Sequence, residues 1–338
     1  MCITLIVILI QNANTLTSKI DLTSLANRLR TSYLCLRGLF RHLAPLFPTH
    51  AIYVLYQNVS KMNDNLKRKI EQSIKLLQAY DKFCKDRFTL ELAYSGGKDS
   101  DVILQLAKEA AINFQPIYKM TTIDPPGTLK HVREMGVEVR RPKYNFFQLI
   151  EKKGLPSRRM RFCCDMLKEY KIHDKVIIGV RASESRKRRD LYKEPSNCRI
   201  GKKNNVEQIM PILYWTDEDI KDFIEDRNIK CAPIYYNDNG IFEVKRRLGC
   251  MGCPLLSYKK RLEEFRKYPN IANRYIKACG VYLENHQSSK VYAYNRGDPY
   301  RFFLRDFFPY TNKKWDEIVS GFFGPPNFNE VFKRLIKQ

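Results

Sequence analysis

Two groups of residues in this 338-residue chain have types and spacings suited to chemistry. The first is the run Ser95-Gly96-Gly97-Lys98-Asp99-Ser100. Adjacent glycines let the backbone come close to an anion, and successive N–H groups there can nest around phosphate oxygens. Ser95 and Ser100 add hydroxyl donors, and Lys98 adds a point charge. This is not the Walker loop, which needs Ser or Thr after its lysine to hold magnesium, because Asp99 follows Lys98. A purely structural Ser-Gly-Gly turn with a capped helix is the competing reading. The second group is Cys163-Cys164 with Cys250-x-x-Cys253. Two pairs of thiolates can complete the ligands of a cubane cluster, or of a structural zinc ion. Adjacent cysteines suit a single tetrahedral ion poorly, and a cluster, zinc and unliganded redox thiols all stay open at this point. Cys2, Cys35, Cys84, Cys198, Cys231 and Cys279 read as buried or incidental.

These groups need elements to hold them. Phe88, Leu90, Leu92 and Tyr94 alternate with Thr89, Glu91 and Ala93, which predicts a strand ending at the glycines. Val102, Ile103, Leu106 and Ala110 then share one face of a helix over Ser100–Ala111. A helix carrying Ile70, Ile74 and Leu77 precedes the strand, and Phe114–Tyr118, Val137–Val139 and Val176–Val180 are further candidate strands. Strands separated by helix-length segments imply βαβ units, and so a Rossmann-like α/β fold with a parallel sheet sandwiched by helices. Beyond Pro254 the apolar spacing turns helical through Leu262, Phe265 and Tyr268 and again from Tyr275. The C-terminal stretch is rich in aromatics: Phe302, Phe303, Phe307, Phe308, Trp315, Phe322 and Phe323. The expected organisation is an N-terminal extension over 1–61, a nucleotide-binding domain over 62–254, and a helical region over 255–338. In the extension no acidic residue falls between Asp21 and Asp64. It reads either as a transit segment or, preferably, as sequence upstream of a natural start at Met62.

Bulk properties narrow the partners. The formal charge of +24 implies a polyanion, either a nucleotide or a nucleic acid. Ten cysteines in a chain of this size, behind no recognisable signal peptide, fit a reducing compartment rather than a disulfide framework. The apolar run Ile3–Ile10 is far shorter than the roughly 20 residues needed to cross a bilayer. The expected location is the cytoplasm, with no membrane partner.

At this point a resemblance becomes specific. Ser95–Ser100 resembles the pyrophosphate loop of the adenine nucleotide α-hydrolase superfamily. Ile178-Gly179-Val180-Arg181-Ala182-Ser183-Glu184-Ser185 with Arg188 resembles a second signature, found in the phosphoadenosine phosphosulfate (PAPS) reductase family. Pro211-Ile212-Leu213-Tyr214-Trp215-Thr216 with Asp219-Ile220 is similar to a third, and Pro233-Ile234-Tyr235 and Gly249-Cys250 fall in family order. The similarity spans about Leu66 to Pro254.

The resemblance implies that Ser95, Gly96, Gly97, Lys98, Asp99 and Ser100 cradle the phosphates of an adenine nucleotide, with Gly179, Arg181, Glu184, Ser185 and Arg188 lining the site. Lys98, Asp99 and Arg181 are the implied catalytic residues, with ATP and magnesium as the working pair. The resemblance also implies that Cys163, Cys164, Cys250 and Cys253 hold a four-iron cluster. Two departures matter. Members that reduce sulfonucleotides use an attacking cysteine in a C-terminal Glu-Cys-Gly-x-His motif, whereas Ala278-Cys279-Gly280 lacks both the acid and the histidine. The intact Lys98-Asp99 is similar to ATP-cleaving relatives. The leading expectation is therefore adenylation with pyrophosphate release, coupled to sulfur transfer onto an acceptor such as tRNA or DNA from a sulfur donor. The alternatives are a thioredoxin-dependent sulfonucleotide reductase attacking through Cys279 or Cys198, and a non-enzymatic nucleotide-binding module.

Overall fold

Leu90, Glu91 and Leu92 are all buried, so the strand before the glycines is covered on both faces, as a central parallel strand must be. A computed structural model of the protein describes residues 63–84, 89–200, 205–307 and 327–337. The expectations for the 1–61 extension and Met62, and for Cys2, Cys35, Phe88, Phe308, Trp315, Phe322 and Phe323, lie outside the described residues, as do the side chains of Cys198 and Phe307. Helix α1 (Asp64–Cys84) leads to β1 (Leu90–Ala93), α2 (Lys98–Glu109) and β2 (Phe114–Lys119). Then come α3 (Thr128–Glu134), β3 (Glu138–Arg140), α4 (Phe146–Lys153), α5 (Phe162–Leu167) and β4 (Lys175–Ile177). Helix α6 (Arg186–Leu191), strands β5 (Ser196–Ile200) and β6 (Asn205–Ile209), and α7 (Asp217–Asp226) complete the α/β part.

The sheet order is β3-β2-β1-β4-β6-β5. The first five strands are parallel, and β5 pairs antiparallel with β6. From β1 the chain winds outward through β2 to β3, then returns to the other side of β1 at β4. Strand order therefore reverses between β1 and β4, and ligands in open α/β sheets bind beyond the carboxyl ends of strands at such a point. The antiparallel β5–β6 hairpin was not expected from the sequence. Neither strand carries the apolar run that marks a buried parallel strand.

Beyond Pro254, α8 (Tyr258–Lys267), α9 (Pro269–Asn285), α10 (Lys290–Asn295), α11 (Pro299–Phe307) and α12 (Phe328–Lys337) build a second core. Phe146 and Phe147 of α4 meet Tyr275 of α9 edge to face at 5.5 and 5.4 Å. Phe265 stands 5.5 Å from Tyr275 and 5.4 Å from Phe303. Each such pair contributes about 0.5–1.5 kcal/mol beyond its buried area. The helical region thus shares its core with α4 of the α/β part. Among the described residues, no helix is long and apolar enough to cross a membrane.

One turn joins the two cores. Gly252 has φ +70°, and a Cβ there would lie 2.7 Å from Phe265 Cζ and 2.9 Å from the Tyr275 hydroxyl oxygen. Its N–H donates to Glu264 Oε2 at 2.8 Å, and the Tyr275 hydroxyl donates to the Met251 carbonyl at 3.0 Å. Gly252→Ala combines left-handed strain with overpacking and is expected to cost about 2–4 kcal/mol. Urea unfolding of the purified variant measures this.

Candidate functional site

The run Ser95–Ser100 leaves the end of β1 and enters α2 at the strand-order reversal. Gly96 has φ +75°, a left-handed conformation that favours glycine, and a Cβ there would stand 3.0 Å from Thr128 Cγ2. Gly97 is the N-cap of α2 and has no side chain with which to cap it. The Tyr235 hydroxyl takes a bond from the Lys98 backbone N–H, and the turn stands at the positive end of the dipole of this 12-residue helix. Inside the turn the Ser100 hydroxyl donates to the Gly97 carbonyl at 2.6 Å, and the Ser95 hydroxyl lies 3.3 Å from Ser100 Oγ. Behind the turn, buried Asp101 meets His131 Nε2 at 2.9 Å and accepts from the Tyr94 hydroxyl. Burial pushes the Asp101 carboxyl up, and the His131 and Tyr94 bonds oppose that rise.

Strand β4 pairs with β1, so the segment after β4 emerges beside the glycine turn. Gly179 is the point of closest approach: a Cβ there would lie 3.1 Å from the backbone carbonyl carbon and oxygen of Asp99. Two residues on, Arg181 is almost fully buried, and its Nε donates to Asp99 Oδ1 at 2.7 Å. Its other nitrogens donate to Asp217 Oδ1 at 2.8 Å and to Ser183 Oγ at 3.1 Å. The other oxygen of Asp99 accepts from Lys98 Nζ at 3.0 Å, and that ammonium lies 5.5 Å from the centre of the Tyr235 ring. Asp99 is thus held by a cation on each oxygen.

Glu184 pairs with Arg188 and lies 3.9 Å from Arg181. Ser185 caps α6 by accepting the Arg188 N–H at 3.2 Å. Burial and the neighbouring Arg247 guanidinium both lower the Arg188 pKa, and Arg247 also donates to the Glu184 carbonyl at 3.1 Å. All the loop and arginine residues expected from the sequence therefore meet at one place. Asp217, Arg247 and Leu248 were missed. Each adjoins a motif that was noticed, Trp215-Thr216 for the first and Gly249-Cys250 for the others. Leu248 covers the turn, with its Cδ2 3.5 Å from where a Gly96 Cβ would be.

The cysteine pairs come from two loops. Cys163 and Cys164 lie on α5, and Cys250 and Cys253 bracket the Gly252 turn. All four are half-buried and none forms a disulfide. Cys163 is pushed up by its bond to Cys164, by burial, and by the charges of Cys164, Cys250 and Cys253, so the four thiols form one neighbourhood. Cys164, which accepts that bond, is lowered to about 6. Burial raises Cys250 and Cys253. Burial lowers the Lys168 pKa, but the charges of Cys250 and Asp124 outweigh it and raise the ammonium's pKa. Among the described residues, no three His, Cys, Asp or Glu side chains already converge on a single metal position. The donor set itself is all sulfur, drawn from two segments, with an ammonium to offset thiolate charge. That set fits a cluster spread over several iron atoms better than one tetrahedral ion.

Residues 89–256 match the family model of the phosphoadenosine phosphosulfate reductase domain. Over those residues the chain belongs to the PAPS reductase family. A protein of Methanocaldococcus jannaschii is 27% identical over 290 residues, which are 81% of this chain and 62% of that one. The chain spans 42% to 62% of the lengths of the curated relatives it matches. Among solved structures, a PAPS reductase from Candida auris is 14% identical with a TM-score of 0.39, covering 57% of this chain and 98% of that one. The ATP complex of Candida glabrata FMN adenylyltransferase is 15% identical with a TM-score of 0.39, covering 57% of this chain and 68% of that one.

The attacking thiol that the reductase alternative places at Cys279, beyond the matched PAPS reductase domain, has no accessible source there. That residue is fully buried on α9, in the aromatic core. Cys84 and Cys231 are also buried, as expected.

Two outcomes test this geometry. Arg181→Met leaves Asp99 and Asp217 without their shared cation, and chemical denaturation is expected to register a loss of about 3 kcal/mol. Cys253→Ser removes one sulfur donor, and iron and acid-labile sulfide, measured after anaerobic purification, are expected to fall well below those of the parent protein while its α-helical circular dichroism persists.

Proposed function

We propose that this PAPS reductase family member binds ATP, cleaves it between the α and β phosphates to adenylate an acceptor, and then passes sulfide-level sulfur from a separate sulfur donor to that acceptor as AMP leaves. One observation carries the reading: a glycine turn at a helix N-terminus with an intact Lys98-Asp99, set where the strand order reverses. The nucleotide's β and γ phosphates fit against the first turn of α2, at the positive end of its dipole and on the side of Ser95 and Ser100. As the acceptor attacks the α phosphorus, the α–β bond breaks and pyrophosphate leaves with the bonding electrons. Lys98 and the α2 N–H groups are arranged to stabilise that growing charge.

Asp99 acts chiefly as a positioning residue. With one oxygen on Lys98 and the other on Arg181, its carboxylate fixes both cations. Magnesium would come with the nucleotide and offset phosphate charge, and Asp99 is the carboxylate of the turn that would help to hold it. Arg188, paired with Glu184 and with Arg247 beside it, is the more exposed cation for the anionic tail, since Arg181 is buried between Asp99 and Asp217.

Cys163, Cys164, Cys250 and Cys253 are the residues that would hold a four-iron cluster, with zinc as the alternative occupant. A bound cluster supplies iron-held sulfur chemistry next to the activation site. The aromatic core packs against Cys163 and Cys250, and Lys168 would offset the charge of the thiolates.

Incubation of the native protein with ATP and magnesium is expected to release inorganic pyrophosphate, read by a coupled phosphate assay. Lys98→Ala is expected to slow that release at least about 100-fold. Sulfite release from a sulfonucleotide with thioredoxin, and no pyrophosphate from ATP, would reverse the reading.

A further inference from the structure

Large apolar side chains are unevenly spread over the exposed surface. Nine are exposed among the described residues, and four of them, Met160, Met166, Leu255 and Tyr258, lie within five residues of a cysteine of the thiol site. The first two flank Cys163-Cys164, and the others follow Cys253. Arg158 ties the two segments together, donating from Nε to the Pro254 carbonyl at 3.1 Å and from Nη2 to the Leu256 carbonyl at 3.4 Å. The patch is therefore one collar, assembled from two loops around the half-buried thiols.

Its charge is predominantly positive. Residues 157–161 and 255–260 carry Arg158, Arg159, Arg161, Lys259 and Lys260 and contain no acidic residue, while Asp165, beside Met166, is an exposed acid of the same collar. All five cations are exposed. Exposed thioether, aliphatic and phenolic groups among guanidinium and ammonium groups suit a ligand that presents flat apolar faces and closely spaced anions together. An unpaired nucleic-acid strand has this chemistry, with bases to stack and phosphates to neutralise. A duplex hides its base faces and leaves the apolar groups uncovered, whereas an acidic protein would satisfy the charges without calling for a stacking residue.

We infer that this collar is the docking surface for an unpaired segment of a nucleic acid, which it holds over the thiol site. Tyr258 stacks on a base, and Arg159, Arg161, Lys259 and Lys260 take the phosphates. The inference rests on the proposed sulfur transfer only for what is done to the strand. The surface itself stands on exposure and charge.

The test uses the full chain without added nucleotide, so its result is separate from pyrophosphate release. Fluorescence anisotropy follows binding of a fluorescein-labelled, mixed-sequence single strand of about 20 nucleotides, a length above the site size of one binding groove, and of the same strand annealed to its complement. The single strand is expected to bind more tightly than the duplex. The double variant Arg159→Gln/Arg161→Gln is expected to weaken binding about tenfold and to flatten the slope of log affinity against log salt by about 1.4. Tyr258→Ala is expected to weaken it about tenfold with the slope unchanged. A control pair on α1, Lys75→Gln/Lys82→Gln, leaves affinity within about twofold, since scattered surface charge far from the contact is screened. Thermal melting by circular dichroism verifies that each variant is folded. The inference is overturned by equal losses in the control pair, by a preference for duplex, or by wild-type protein that binds no strand. It is also overturned if the collar variants bind as wild type does. Pyrophosphate release without strand binding removes the collar and keeps the proposed activity, and the converse result removes the activity and keeps the collar.

Discussion

The contact between Asp99 and Arg181 is what the rest of this site depends on. A guanidinium that is almost fully buried persists only if each of its donors finds an acceptor, and Arg181 finds them on three separate segments. Asp99 belongs to the turn after β1, Asp217 begins α7, and Ser183 follows β4. One side chain thus sets the relative placement of the two strand ends that flank the order reversal. Asp99 in turn positions Lys98, so the geometry of the phosphate-facing cation is inherited from a residue 82 positions further along the chain. The close approach of Gly179 to the Asp99 backbone leaves no room for a side chain that would push the two segments apart.

Much of this was legible in the sequence because it is local. The alternation before Ser95, the glycine pair and the helical face from Val102 are neighbours along the chain, and they fold as their periodicities require. The four cysteines announced themselves by spacing. What stayed hidden depends on contacts between distant segments. Nothing in the order of residues marks Asp217 as the second partner of Arg181, and it lies one position past a motif that was noticed for its tryptophan. Arg247 is concealed in a run of basic residues whose usual place is a solvated surface. The β5–β6 hairpin escaped because an edge pair need not carry the continuous apolar run of a central strand. The aromatic end was expected to pack, but its partners in α4 could not be named without the fold.

The sheet explains where a nucleotide can sit, and the helices beyond Pro254 explain where the thiols can. Cys163 and Cys164 lie on a helix of six residues, too short to hold a fixed attitude by itself. Cys250 and Cys253 lie on a turn with little regular structure. Both segments acquire a fixed position by resting on Phe265, Tyr275 and their neighbours. Family membership covers residues 89–256, whereas much of this support comes from the helices that follow. The α/β part and the helical part are therefore not separable as activity and appendage.

The loop from Leu248 to Cys250 has a geometric meaning of its own. Leu248 rests on the glycine turn, and Cys250 opens the second thiol pair. Two residue steps of fully extended backbone reach at most about 7 Å. The distance from Leu248 to the first residue of the second thiol pair is therefore capped by covalent bonds. As long as Leu248 rests on the glycine turn, breathing of the helical core can tilt the thiol site but moves Cys250 little from the phosphate end.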